Sequence, residues 1–205
     1  MRDEGVIKFR CTWISRHPIY PHRIQEMIEV RNDLYAKGLI GVYPDGIGYG
    51  NVSVRINYAG RFVISGSQTG HVKKADASHF TMVTGYDIEG NAVVCEGPVQ
   101  ASSESLTHAV VYEAFPIAGA VIHVHDAQLW RKRLGQIPTT RREVPYGTPE
   151  MAREILRLAA QSNLGRERMA VMAGHEAGIM IFGRNLAAAY QRLAREAGCC
   201  RRDPL

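Results

Sequence analysis

Ala120-Val121-Ile122-His123-Val124-His125 closes an apolar, β-rich run that begins at Ile117. In a pleated strand successive side chains point to opposite faces, so His123 and His125 share a face with Val121. Their Cα atoms are expected about 6.5–7 Å apart. At that spacing two imidazoles can converge on one ion through metal–nitrogen bonds of about 2.0–2.1 Å. Two half-buried strand histidines are the alternative, so the pair needs a third ligand, a carboxylate and an anion site before it reads as chemistry.

The surrounding pattern sets the fold class. A helix is expected from about Ser103 to Phe115, ended by Pro116, which disfavours helical geometry in the residue before it. Further upstream, Ile24, Met27, Ile28, Arg31 and Leu34 recur at helical spacing in a helix from about Pro21 to Lys37, with Gly38 as its stop. Between these helices lie a glycine-punctuated loop, Tyr43–Gly50, and strands at Val52–Ile56, Arg61–Ser65, Phe80–Val83 and Ala92–Cys95. Downstream, Thr148-Pro149-Glu150 combines a capping hydroxyl, proline at the first helical position and an acid in the first turn, opening a helix to about Gln161. Met169–Ala173 and Ile179–Phe182 read as strands flanking a turn. Asn185 then caps a last helix that Gly198 stops. Strands in runs between helices predict an α/β protein, a layered α/β/α sandwich around a mixed, largely antiparallel sheet.

The 205 residues fit a single domain, expected over 1–205, and the 45% hydrophobic and 22% charged content is that of an ordinary globular chain. No apolar stretch approaches the roughly 20 residues of a membrane span. The start, Met1-Arg2-Asp3-Glu4-Gly5, lacks the basic-then-apolar plan of a signal peptide, so a cytoplasmic location is expected. Cys11, Cys95, Cys199 and Cys200 form no C-x-x-C pair, in keeping with a reducing compartment. The formal charge of +5 is spread over small clusters, Arg131-Lys132-Arg133, Arg141-Arg142 and Arg201-Arg202. That dispersion argues against a nucleic-acid surface and suits a small anionic substrate.

The turn Gly174-His175-Glu176-Ala177-Gly178, between two β-rich segments, holds the best third ligand, because a turn on a strand pair can aim a side chain. His17, His22, His71, His79 and His108 remain competing candidates. Three neutral imidazoles leave zinc one or two open positions, as in a catalytic site. Ser102-Ser103-Glu104 begins the helix leading into the histidine strand, where hydroxyls and helix-start N–H groups make an anion site with phosphate as natural occupant. Glu104, returned beside the pair by antiparallel packing of helix on strand, could ligate the ion or act as base. A first-turn acid favoured by the helix dipole is the plainer reading. Gly46, Gly48 and Gly50 fit neither a Walker motif nor G-x-G-x-x-G, and Gly66-Ser67-Gln68-Thr69-Gly70 suits an anion loop or an ordinary connection.

Together these residues resemble the class II aldolase and adducin-head family, over roughly Ile24 to Ala197. The carriers are Gly50-Asn51-Val52-Ser53-Val54-Arg55, Thr69-Gly70, Ser102-Ser103-Glu104, Ala120 to His125 and the late His175. The resemblance implies an α/β/α fold, a homotetramer with active sites between subunits, and zinc held by His123, His125 and His175, although cobalt, nickel or manganese suit such a donor set. It further implies Glu104 as acid/base, and Asn51, Thr69, Gly70, Ser102 and Ser103 as the cradle of a sugar-phosphate-like substrate. The implied reaction is reversible aldol cleavage of a phosphorylated ketose through a metal-stabilised enediolate. Epimerisation or dehydration by the same enediolate, or a non-catalytic adducin-head-like interaction module, are the alternatives. The chain departs from the family's usual pattern at Ser67-Gln68 and in the longer turn after His175, and Tyr146 stands as the candidate tyrosine proton donor.

Overall fold

The computed structural model describes residues 8–56 and 60–197. Strand β1 (Arg10–Ser15) leads through a short 3-10 turn at Pro21–Arg23 into helix α1 (Gln25–Ala36). The continuous helix expected from Pro21 is thus broken at Ile24, whose φ of −128° and ψ of 19° lie outside helical geometry. Gly38, at φ +71°, takes the chain out of α1 as expected. Strands β2 (Gly41–Val42) and β3 (Gly48–Tyr49) then pair as a hairpin, β2 just before and β3 within the stretch Tyr43–Gly50 expected to be a loop. Two-residue strands carry no readable alternation.

Next come β4 (Asn51–Arg55), β5 (Phe62–Ser65), β6 (Phe80–Asp87) and β7 (Ala92–Gly97). These four form an antiparallel meander. Helix α2 (Ser105–Ala114) carries the chain back to β8 (Ala120–His125), which pairs antiparallel with β4. The strand begins later than the run from Ile117 suggests: Ala118 N–H bonds to Phe115 O at 2.8 Å in the turn after Pro116, leaving Ile117 exposed. Helix α3 (Ala127–Arg133), capped by the Asp126 carboxylate on Leu129 N–H, follows at once. The cluster Arg131-Lys132-Arg133 ends this helix, where cations suit the dipole. Helix α4 (Pro149–Gln161) starts as the capping pattern requires, with Thr148 Oγ1 accepting from Met151 N–H.

A one-turn helix, α5 (Leu164–Glu167), precedes β9 (Met169–Val171) and β10 (Gly178–Gly183), which pair antiparallel. The last helix, α6 (Leu186–Ala197), is capped by Asn185 Oδ1 on Ala188 N–H. Gly198, expected to stop it, and the Cys199-Cys200 pair lie outside the described residues. Cys11 and Cys95 are free thiols, Sγ to Sγ 3.8 Å. No helix among the described residues is long and apolar enough to cross a membrane.

Among the described residues, eight strands make one sheet in the order β1-β7-β6-β5-β4-β8-β10-β9. Only the β1–β7 pair is parallel, so the sheet is mixed and largely antiparallel, as the sequence predicts. The two-residue period divides the core between its faces. Phe62, Ile64, Val121, Met180 and Phe182 pack with α2 and α4, through Leu106, Val110, Met151 and Ile155. Val63, Ala120, Ile122, Val124, Ile179 and Ile181 pack with α1 and α6, through Met27, Leu34, Leu186 and Leu193. Helices therefore cover both faces, giving an α/β/α sandwich. β8 lies deep within it, all six of its residues buried.

Candidate functional site

His123 and His125 occupy the C-terminal end of β8, on the face that Val121 turns toward α2 and α4. His123 stands opposite Asn51 of β4 on one side and Met180 of β10 on the other, while His125 stands opposite Gly178. The two Nε2 atoms are 3.2 Å apart. Two nitrogens bound tetrahedrally to one zinc at about 2.0–2.1 Å would be separated by about 3.3–3.4 Å, so the pair already has ligating geometry. The turn from β9 to β10 delivers His175: its N–H bonds to Met172 O at 3.0 Å, and Gly178 N–H bonds back to His175 O at 2.8 Å. One donor atom from each of the three imidazoles lies within 4.8 Å of the others, and all three rings are buried. The longer turn therefore still aims the ring, with Ala177 taking up a left-handed φ of 66° to close it.

Neighbouring groups fix the rings. His123 Nδ1–H donates to Ile179 O at 3.2 Å, which leaves the Nε2 lone pair for a ligand. His125 Nδ1 pairs with the Tyr43 hydroxyl at 2.7 Å, and the Tyr49 ring lies 5.1 Å from the imidazole. The Tyr146 ring stacks on His175 at 4.0 Å and 19°, with the Lys8 ammonium 4.1 Å from the tyrosine centroid. Burial, reinforced by the neighbouring imidazoles of His175, His125 and His108, pushes the His123 pKa well below its ordinary value. A neutral imidazole in this setting offers its lone pair to a cation. The donor set, its spacing and its outer hydrogen bonds thus fit a divalent transition metal.

The remaining histidines are placed elsewhere. His17, His22 and His71 are exposed. His79 closes a capping box with Asp76. His108 is buried in α2, its Nδ1 2.7 Å from Ser53 Oγ, which also meets Tyr112 Oη at 2.7 Å. Desolvation lowers the His108 pKa to about 3, so this ring stays neutral.

Beside the imidazoles opens a solvent-open cleft, about 400 Å³ with the solvent at its mouth included. Its walls include Asn51, Thr69, Gly70, Ser102, Ser103 and Glu104, together with His123 and His175. Asn51 Nδ2 donates to Ser102 Oγ at 3.0 Å, while the buried Asn51 Oδ1 has no hydrogen-bond partner. Thr69 commits its hydroxyl proton to Gly66 O at 2.8 Å. Glu104 is 3% exposed at the N-cap of α2, and its Oε2 accepts from Thr107 Oγ1 at 2.7 Å. A carboxylate buried in the wall of the cleft that His123 and His175 also line can move a proton to or from a bound molecule.

The connection that follows β7 makes this convergence: three strands lie between β7 and β8, and the segment leading into α2 carries Ser102-Ser103-Glu104 across to the cleft beside the histidine strand. The same order of residues matches the family described as Class II Aldolase and Adducin N-terminal domain over residues 25–202. The chain belongs to that family.

Over 105 residues this class II aldolase relative is 33% identical to a methylthioribulose-1-phosphate dehydratase of Hahella chejuensis, a match spanning 51% of the chain and 44% of that protein. The match therefore spans less than half of that relative's length. Among solved structures, an L-fuculose 1-phosphate aldolase superposes with a TM-score of 0.63 at 20% identity, covering 89% of this chain and 84% of that one. A sugar-phosphate aldolase from Thermotoga maritima superposes at 0.61 and 17% identity, covering 89% and 97%. At such identities these structures share the fold. Sequence reasoning missed Tyr43 and Tyr49, which only the short hairpin carries to His125, and the depth at which Arg31 is buried.

Proposed function

We propose that the chain is a metal-dependent lyase of the class II aldolase type, catalysing reversible aldol cleavage of a phosphorylated ketose. The observation that carries this reading is the convergence of His123, His125 and His175 within 4.8 Å beside the cleft that holds Glu104. Zinc suits three neutral imidazoles, and a bound ion supplies Lewis-acid polarisation of a ketone and its adjacent hydroxyl. Asn51, Thr69, Gly70, Ser102 and Ser103 hold the phosphate in the polar end of the cleft. Glu104 carries the proton, its carboxylate oriented by the Thr107 hydroxyl on Oε2. Burial keeps water from competing for that proton. The assembly proposed from the family is a homotetramer with sites between subunits.

A second reading is favoured by the dehydratase relative at 33% identity. Removal of a proton from the carbon beside the ketone, followed by loss of the neighbouring hydroxyl as water, would make this chain a sugar-phosphate dehydratase, and return of that proton to the other face of the same carbon would make it an epimerase. The first test is elemental analysis of protein purified without chelator, expected to return one divalent ion per chain. Protein devoid of divalent metal overturns both readings and leaves a non-catalytic module. Incubation with phosphorylated ketoses then separates the chemistries. Aldehyde release supports the aldolase, and loss of water without aldehyde replaces it with the dehydratase.

A further inference from the structure

Arg31 sits in α1 among the apolar positions that face the sheet, with 1% of its surface exposed. Its guanidinium donates to Thr69 O at 2.8 Å and to Val72 O, and meets Asn32 Oδ1 at 3.2 Å. All three partners are neutral, and among the described residues no carboxylate pairs with it. A guanidinium stays charged even where, as here, burial lowers its pKa. Burying such a charge without a counter-charge is costly.

Tethering the loop does not require that charge. The next residue, Asn32, pins the same segment with a neutral side chain, donating from Nδ2 to Ala75 O at 3.0 Å and accepting from Ala75 N–H at 2.8 Å. The position of the charge suggests its use. The Thr69 carbonyl that accepts from Arg31 belongs to the same peptide unit as the Gly70 N–H, and both residues line the cleft. No backbone hydrogen bond among the described residues uses the N–H of Thr69 or Gly70. A cation on the carbonyl oxygen polarises the peptide and strengthens its N–H as a donor. From peptide geometry, the guanidinium nitrogen lies within roughly 5 Å of the Gly70 nitrogen.

We propose that Arg31 is a positioning residue that supplies the counter-charge for an anionic group bound in the cleft, acting through the Thr69–Gly70 peptide without touching the ligand. This rests on the reading of the cleft as a phosphate site. The anion in turn completes the charge balance of a guanidinium that, among the described residues, meets only neutral acceptors and the Tyr35 ring. Arg31 thereby couples anion binding to the packing of α1 against the loop at 66–72.

The test is titration calorimetry of full-length, metal-containing protein with inorganic phosphate, comparing wild type, Arg31→Lys and Arg31→Gln at matched metal content. Gln keeps donors for the carbonyls and removes the charge, whereas Lys keeps the charge and loses the two-pronged contact. The expected result is phosphate affinity about tenfold or more weaker in Arg31→Gln, and within about threefold of wild type in Arg31→Lys. A purely structural role makes both variants fail alike, and that result overturns the proposal. So does unchanged affinity in Arg31→Gln. If Arg31→Gln does not fold, Arg31→Lys decides: a loss greater than threefold overturns the proposal, and a smaller one supports it. Wild-type protein that binds no phosphate instead removes the anion-cleft reading itself, and this inference with it.

Discussion

Replacing Gly178 by alanine tests whether backbone contact aims the third histidine. Gly178 opens β10 opposite His125, and its N–H closes the turn onto His175 O. A Cβ added there would lie 2.9 Å from His175 O and 3.0 Å from both Cγ and Nδ1 of the same residue. Ordinary carbon contacts fall at about 3.5–4.0 Å, so about 0.5–1 Å must be relieved. The carbonyl cannot rotate away, because it is part of the turn, so the displacement passes to the imidazole. Metal–ligand distances tolerate only about 0.2 Å, and the ring must leave its ligating position. The expected loss of zinc affinity is therefore about tenfold or more, comparable to loss of an outer-shell partner. Overpacking costs about 1–3 kcal/mol, and at about 2–4 °C per kcal/mol for a chain of this size the metal-free protein melts modestly lower. Competition with a chromogenic chelator measures the affinity, and circular dichroism the melting. A Gly178→Ala protein that melts lower yet binds zinc within twofold of wild type refutes the argument that this contact aims His175.

Tyr43→Phe removes the hydroxyl from His125 Nδ1 and leaves the ring packing, so zinc affinity should fall about 10- to 100-fold with little change in melting temperature; unchanged affinity means the hydroxyl does not orient the ligand. Glu104→Gln keeps the three imidazoles and removes the proton carrier, so metal content should hold while turnover of any ketose phosphate found to react drops about 10²–10⁴-fold. Retained turnover would assign the proton to another group. Acidification tests the buried His108. Its pKa is about 3 in the folded chain, against about 6.5 when unfolded. The unfolded state therefore binds the extra proton first, and the stability His108 contributes is fully present above pH 6.5. That contribution is lost by about 1.4 kcal/mol per pH unit as pH falls toward 3. Urea unfolding of metal-free protein should show a shallower pH slope in His108→Gln than in wild type, and parallel slopes would exclude this burial cost.

Much of the fold is legible wherever a signal is local. The alternation of Val121, His123 and His125, the Thr148-Pro149 helix start, the Gly38 stop and the Asn185 cap each depend on residues within a few positions of one another. All four are found where the sequence places them. Strand β1 was invisible because it lies at the sheet edge with most of its residues exposed, which erases hydrophobic alternation. The β2–β3 hairpin was too short to have a period. Helix α3 did carry a signal, Asp126 as a cap and three cations at its end, but those cations read equally well as a surface charge cluster.

The same division runs through the site. The sequence alone determined that His123 and His125 share one face of a strand, and that Ser102-Ser103-Glu104 begins a helix, because strand and helix periods follow from covalent geometry. It also carried the family, through the order of its motifs. Only the tertiary structure decided which of six remaining histidines completes the triad, that Tyr43 and Tyr146 flank its rings, and that Arg31 is a buried cation behind the loop at 66–72. His175 is 50 residues from His125 along the chain, yet the register of β10 on β8 sets Gly178 directly opposite His125. Such a register is fixed by two packed faces of a sheet acting together, and no local stretch of sequence contains it.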